Sequence, residues 1–256
     1  MIHSTAIIDP AAELAEDVEV GPYTVIGADV RIGAGTVIGP HAVIQGPSTL
    51  GRNNHVFQFA SVGEACQDKK YKGEPTTLEM GDDNVIRECV TLHRGTAGDR
   101  GVTTIGHRNL FMAYSHVAHD CVIGDDCVFA NNASTAGHVH MGDAVILAGF
   151  AGIHQFCHVG SYTMVAMYSA VNMDVPAYMM VQGYPASARG LNLEGMRRRE
   201  YPRETIRALR RAYRLLYRSG LKLGEALEQM EPLAQEYPEV RLFVDSIKAG
   251  NRGVVR

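Results

Sequence analysis

An aliphatic residue returns at every sixth position through most of this chain. The first series is Ile8, Leu14, Val20, Ile26, Ile32, Ile38, Ile44, Leu50, Val56 and Val62. It resumes at Met80, Ile86 and Leu92, and again from Ile105 through Phe111, Val117, Ile123, Phe129, Thr135, Met141, Leu147, Ile153, Val159 and Val165 to Val171. Glycine or alanine often follows the aliphatic, as in "IGADVR" and "IGAGTV". A short fixed period of this kind specifies a solenoid. Each hexapeptide supplies one short strand and one corner, and three of them close a triangular coil. Residues 18 apart then stack on neighbouring coils, about 4.8 Å apart. The aliphatic points inward and fills the prism. The expected fold is mainly β: a parallel β-helix of hexapeptide repeats over residues 1–190, left-handed as hexapeptide solenoids are, with a small helical domain after it.

Two segments break the phase, "ACQDKKYKGEPTTLE" (65–79) and "GTAGDRGVTT" (95–104). Both are expected to be extruded loops, and loops on rigid scaffolds often assemble sites. After Val171 the phase fades, and from Tyr201 the pattern turns helical. "YPRETIRALRRAYRLLYRSG" has Pro202 near its start and Gly220 after its end, with Ile206, Leu209, Tyr213 and Leu216 on one face. Further helices are expected over about 223–236 and 238–248, completing a helical domain at 191–256.

Charge follows the same division. Residues 1–190 carry net −9 and residues 191–256 net +5, with nine arginines between Arg197 and Arg218. A basic helical face attracts an acidic partner or a phosphate. Nucleic acid is the weaker partner, because the acidic remainder would repel it. The longest apolar run, Ala144 to Ile153, is far short of the roughly 20 residues that span a bilayer. "MIHSTAIIDP" has no basic region followed by an apolar one, so a cytoplasmic protein is expected. Five cysteines without a C-x-x-C pair read as buried thiols.

"HVAHDCVIGDDCVFANNASTAGH" concentrates histidines on this scaffold. Gly137 lies 18 residues after His119 and so stacks above it. His138 stacks over Asp120, His154 over Ala136, and His116 precedes the same corner. Four histidines and a carboxylate are expected to share one groove or edge. Metal ligation, solvated polar corners and general-base catalysis are three readings of that cluster. In the last, neutral His119 abstracts a hydroxyl proton, Asp120 fixes its tautomer, and the Gly137 N–H receives a developing oxyanion. A base beside an oxyanion donor suits acyl transfer.

Longer motifs sharpen this reading. "QFASVGEACQDKKYKGEPT", "RECVTLHRGT", "HVAHDC", "ANNASTAGHV", "HQFCHVG", "NLEGMRRR", "YRLLYRSG" and "EYPEVRLFVD" together resemble the UDP-N-acetylglucosamine 3-O-acyltransferases, which perform the first step of lipid A synthesis. The resemblance covers nearly the whole chain. It implies a homotrimer with sites in clefts between subunits, an R-3-hydroxyacyl donor on acyl carrier protein, UDP-N-acetylglucosamine as acceptor, and no metal or organic cofactor.

The resemblance also implies roles. His119 matches the base, Asp120 its partner and Gly137 the oxyanion donor. Gln67, Asp68 and Lys70 lie in a loop that reaches the sugar. His116, His138, His154 and Gln155 match sugar- or acyl-contacting positions. Asn192, Glu194, Arg198 and Arg199 fall in the nucleotide-contacting stretch. The basic face, with Arg207, Arg210 and Arg211, suits an acidic carrier protein. Some members carry a histidine in the segment that here reads "QGYPASA", where this chain has Tyr184-Pro185. Where family members can have glycine near the end of the acyl pocket, this chain has Met167, which implies a short ruler and a chain of about 10 carbons. Three other readings stay open: a related glucosamine N-acyltransferase, a zinc-dependent hexapeptide lyase, and a non-catalytic scaffold that docks an acidic partner. The N-acyltransferase usually carries an extra N-terminal uridine-binding domain, for which the repeat, entered by Ile8, is expected to leave no room.

Overall fold

The computed structural model describes residues 1–256. Short parallel strands, mostly two residues long, stack into three flat faces of a prism. The first face has nine strands, from Ile7–Ile8 to Ala170–Val171. The second has eight, from Glu13–Leu14 to His158–Val159. The third begins at Glu19–Val20 and ends in the antiparallel hairpin Met179–Gly183 and Ala186–Leu191. The fold is a left-handed parallel β-helix followed by helices.

Register obeys the 18-residue coil: Val25 pairs with Val43, Val128 with Ile146 and His140 with His158. The insertions stretch it without shifting the faces. Val62 pairs with Leu92 and Leu92 with Val117, steps of 30 and 25 residues. The in-phase side chains fill the prism, with Ile26, Ile44, Val62, Phe111 and Val165 all at most 1% exposed. Ile8 and Leu14 are only half-buried, because no coil covers the first turn.

Corner residues adopt positive φ without being glycine, among them Asp120 (59°) and His138 (63°). This backbone region ordinarily costs about 1 kcal/mol or more, and the stacked corner hydrogen bonds hold it here. One corner also carries a buried asparagine ladder. Asn84 Nδ2 donates to Asn54 Oδ1 and to the Gly81 and Gly106 carbonyls, while its Oδ1 accepts from the Asn109 N–H.

The extruded loops are shorter than their sequence suggests. Thr77–Met80 and Val102–Ile105 are strands of the second face, paired Thr77 to Val102 and Met80 to Ile105. Their alternating polar residues hide a strand that buries only every second side chain.

Four helices follow: α1 (Leu193–Arg198), α2 (Arg203–Tyr217), α3 (Leu223–Glu236) and α4 (Pro238–Ala249). The Asn192 side chain accepts from the Gly195 N–H and so caps α1, which the periodicity did not announce. On α2 the deepest residues are Thr205, Ala208, Leu209 and Ala212, while Ile206, Tyr213 and Leu216 are half-buried beside them. Small residues let α2 approach closely around Leu209 and leave its other long apolar chains at the margins. The helices share one hydrophobic core with the prism. Asp174 pins the chain end to it, accepting from the Arg252 N–H at 2.7 Å through its side chain and from the Val255 N–H at 2.9 Å through its carbonyl.

Candidate active site

The ridge between the first and second faces carries the densest chemistry. His119 and Asp120 form its corner on one coil, and Gly137 and His138 form it on the next. The His119 Nδ1 lies 2.9 Å from Asp120 Oδ2. Asp120 is fully buried and the His119 side chain is 15% exposed. Thr96 donates to the same carboxylate twice, through its backbone N–H (3.0 Å to each oxygen) and its hydroxyl (2.6 Å to Oδ2). With the Asp120 oxygen accepting, the imidazole is best served with its proton on Nδ1. The Nε2 of His119 is then the basic nitrogen.

Gly137 covers that nitrogen. A Cβ built at Gly137 would fall 2.6 Å from His119 Nε2, so only glycine leaves the ring its place. The Gly137 N–H donates to no other protein group, whereas its carbonyl accepts from the Phe156 N–H. His138 stands edge-on to His119, their ring centroids 4.9 Å apart, and stacks flat on Phe156 at 4.3 Å. His119, Asp120 and His138 offer ligand-type atoms within 4.8 Å of one another. Hydrogen bonds already engage the Asp120 oxygens, an arrangement that orders protons around the two rings.

Grooves flank the ridge on either side. On the first face is an apolar groove of about 650 Å³. Ala118, Ala136, Gly152 and Ala170 form its floor, with His116 and His154 beside them and Tyr184-Pro185 at its rim. On the second face is a polar groove of about 690 Å³, walled by the two extruded loops. Asp68 and Lys70 come from the first loop, Thr96 to Asp99 from the second, and His138, His140 and His158 from the face itself. The histidines therefore do not share one groove. His116 and His154 belong to the apolar side, His138 faces the polar side, and His119 sits between. The flank of the ridge decides the side: His116 and His154 lie on or beside strands of the first face, and His140 and His158 on strands of the second.

Electrostatics differ across the ridge. Burial, helped by neighbouring His93, pushes the His116 imidazole down to about 4, so it is neutral at ordinary pH. Its Nδ1 lies 2.7 Å from the Thr91 hydroxyl. His140 is also pushed below its usual value, by burial first and then by His158. The sequence did not single out His140, His158, Thr96 or Asp99. The 18-residue stacking of His140 and His158 could have revealed the first pair.

Other expected residues lie elsewhere. Gln67 and Gln155 are exposed beside the grooves without lining them. Asn192, Glu194, Arg198 and Arg199 sit by the corner between the second and third faces, where Arg199 rides over the Tyr162 ring at 5.5 Å. The Asn192 side chain is committed to Gly195 and the Tyr162 carbonyl, and Glu194 pairs with Arg198 at 3.0 Å. One chain does not bring this stretch to His119. Met167 is 58% exposed at the corner between the third and first faces, so it does not pack inside the prism. Its methyl lies 3.7 Å from where a Gly149 Cβ would stand. Arg207, Arg210 and Arg211 are exposed on α2 and make no ion pair. No helix is long and apolar enough to cross a membrane.

Comparison with known proteins gives a consistent result. The second-domain family model of UDP-N-acetylglucosamine O-acyltransferase matches residues 174–255, and the bacterial transferase hexapeptide model (six repeats) matches 103–137. A protein of Stutzerimonas stutzeri named acyl-[acyl-carrier-protein]–UDP-N-acetylglucosamine O-acyltransferase is 54% identical over 256 residues, covering 100% of this chain and 99% of that one. A protein of the same name from Thiobacillus denitrificans is 54% identical over 255 residues, with the same coverage. Among solved structures, LpxA from Acinetobacter baumannii superposes with a TM-score of 0.98 at 53% identity, covering 100% of this chain and 99% of that one. The UDP-N-acetylglucosamine acyltransferase of Francisella novicida gives 0.98 at 40% identity, covering 100% and 94%.

Proposed function

The chain belongs to the acyl-[acyl-carrier-protein]–UDP-N-acetylglucosamine O-acyltransferase family, and from that premise we propose that it transfers an R-3-hydroxyacyl group to the sugar 3-hydroxyl across the His119 ridge. The observation that carries this reading is the place of His119. Its basic nitrogen lies under Gly137, whose N–H donates to no protein group, between a polar groove and an apolar one.

The acceptor sugar takes the polar side, among Asp68, Lys70 and His138, and the acyl chain takes the apolar side, along Ala118, Ala136, Gly152 and Ala170 beside His116 and His154. His119 Nε2 removes the proton of the 3-hydroxyl, and that oxygen attacks the thioester carbonyl carbon. The carbonyl π electrons move to oxygen, and the Gly137 N–H holds the oxyanion. When the intermediate collapses, the C–S bond breaks and the carrier thiolate takes the proton from His119. The Asp120 carboxylate, acting on Nδ1–H, stabilises the imidazolium between these steps. A positioned base is worth roughly 10²–10⁴ in rate, and one oxyanion donor about 10²–10³.

The remaining residues call for a second copy. Asn192, Glu194, Arg198 and Arg199 lie at another corner of the prism, and a neighbouring subunit would bring that corner to the ridge as the nucleotide site. Gln67 and Gln155 would close the same cleft. A trimer meets this need with three equivalent clefts. In this reading residues 1–190 are the scaffold and residues 191–256 meet the carrier protein, with unpaired Arg207, Arg210 and Arg211 as the docking charges. Met167, standing exposed at the corner between the third and first faces, ends the chain at about 10 carbons. The test is acyl transfer by the purified protein from a series of 3-hydroxyacyl carrier-protein thioesters to UDP-N-acetylglucosamine, with the product read by mass spectrometry. An ester at the 3-position supports the reading. Amide formation with a 3-amino sugar and none with the 3-hydroxyl would replace it.

A further inference from the structure

The second extruded loop touches the carboxylate that holds one ridge histidine, and touches the other histidine directly. At its neck, a side chain on Gly95 would come within 2.8 Å of Asp120 Oδ1. Glycine there lets Thr96 close on the carboxylate with the N–H and hydroxyl bonds described above. Further out, Asp99 Oδ2 lies 2.6 Å from the Nδ1 of His138. Asp120 Oδ2 stands farther off, 3.9 Å from that same nitrogen. The flat stack on Phe156 fixes the plane of the ring, and Asp99 fixes which edge carries the proton.

We propose that Thr96 and Asp99 are positioning residues: Thr96 holds His119, through Asp120, and Asp99 holds His138, each ring as its Nδ1–H tautomer with Nε2 free toward the substrates. Placing both on one short loop couples the orientation of the base to that of its neighbour in the sugar groove. The loop is therefore part of the catalytic apparatus, although it contributes no group to the bond-making steps. The proposal rests on the acyl-transfer reading for its kinetic arm alone, because the tautomers are read without turnover.

The two contacts differ in what they control. Thr96 acts on the base, so losing its hydroxyl lowers kcat. Asp99 acts on a ring of the sugar groove, so losing its carboxylate raises KM for the sugar nucleotide. The variants are Thr96→Val, Thr96→Ser, Asp99→Ala and Asp99→Asn in the full chain. Asp99 lies on an exposed loop, so its variants retain the fold and decide the issue should Thr96→Val not fold. We expect about ten-fold loss of kcat for Thr96→Val with recovery in Thr96→Ser. We expect about ten-fold rise in KM for UDP-N-acetylglucosamine in Asp99→Ala with recovery in Asp99→Asn, whose amide oxygen still accepts. ¹⁵N shifts of labelled histidines should show His138 as Nδ1–H in the parent and as a tautomer mixture in Asp99→Ala. A His138 tautomer and a KM both unmoved in Asp99→Ala would overturn the assignment. A His138 tautomer that shifts in Asp99→Ala, when even the parent transfers no acyl group, would uphold the positioning and overturn only the function.

Discussion

Replacing Gly137 by alanine probes the ridge with a single methyl group. The new Cβ would stand 2.6 Å from His119 Nε2, where carbon and nitrogen ordinarily keep roughly 3.5 Å. The ring must retreat by about 1 Å, and it has little freedom to do so. Its Nδ1 is bonded to Asp120, which Thr96 holds in turn. Strain of this kind costs about 1–3 kcal/mol of stability. Catalysis should suffer more, since a displacement of about 1 Å from the reacting geometry can cost about 10²-fold. The Gly137 N–H survives the change, so the loss reports on the base. Steady-state transfer assays on Gly137→Ala should give kcat down about 100-fold with KM for UDP-N-acetylglucosamine within about three-fold. Gly224→Ala is the control, because Gly224 has open space around its Cβ position. It should leave activity unchanged and raise stability by about 0.5–1 kcal/mol. A folded Gly137→Ala with normal kcat would refute the close approach of glycine to the base.

Three other perturbations test separate parts of the account. The His116 imidazole lies at about 4 in the folded protein, below its ordinary value of about 6.5, so the unfolded chain binds the extra proton between these values. Stability is then fully present above about pH 6.5 and falls by up to about 3 kcal/mol as pH drops to 4; urea unfolding of His116→Gln should show a flatter pH dependence over that window. Asn84→Ala strands the Asn109 N–H and the Gly106 carbonyl in the prism and should cost about 3 kcal/mol by the same measurement. Met167→Gly should shift donor preference from about 10 carbons toward about 14, and an unchanged profile across a 10- to 16-carbon series would remove Met167 as the ruler.

The fold was legible because the hexapeptide repeat encodes one inward position per strand, and register follows from counting. Thr135, in phase but polar, is as buried as its aliphatic neighbours. Counting failed where residues departed from the 18-residue coil. Thr96 reaches Asp120 across 24 residues and Asp99 reaches His138 across 39, and no periodicity connects such pairs. The ends of the loops were misjudged because Thr77 and Thr104 look like loop residues although they pair as strands. The pairing of His119 with Asp120 and the stacking of Gly137 above them were readable as neighbours in the coil. The division of the histidines between two grooves was not, because it depends on which side of the corner each Cβ faces. The asparagine ladder was overlooked because its amides replace small residues at a corner rather than aliphatics in the core.

The central claim is that His119, held by Asp120 under Gly137, is the base that activates the sugar hydroxyl. The most direct measurement is kcat/KM for acyl transfer in the parent and in His119→Ala, each first shown to be folded by thermal unfolding. The expected result is a kcat/KM at least about 100-fold lower in His119→Ala than in the parent. A folded His119→Ala that keeps near-normal kcat/KM would contradict it.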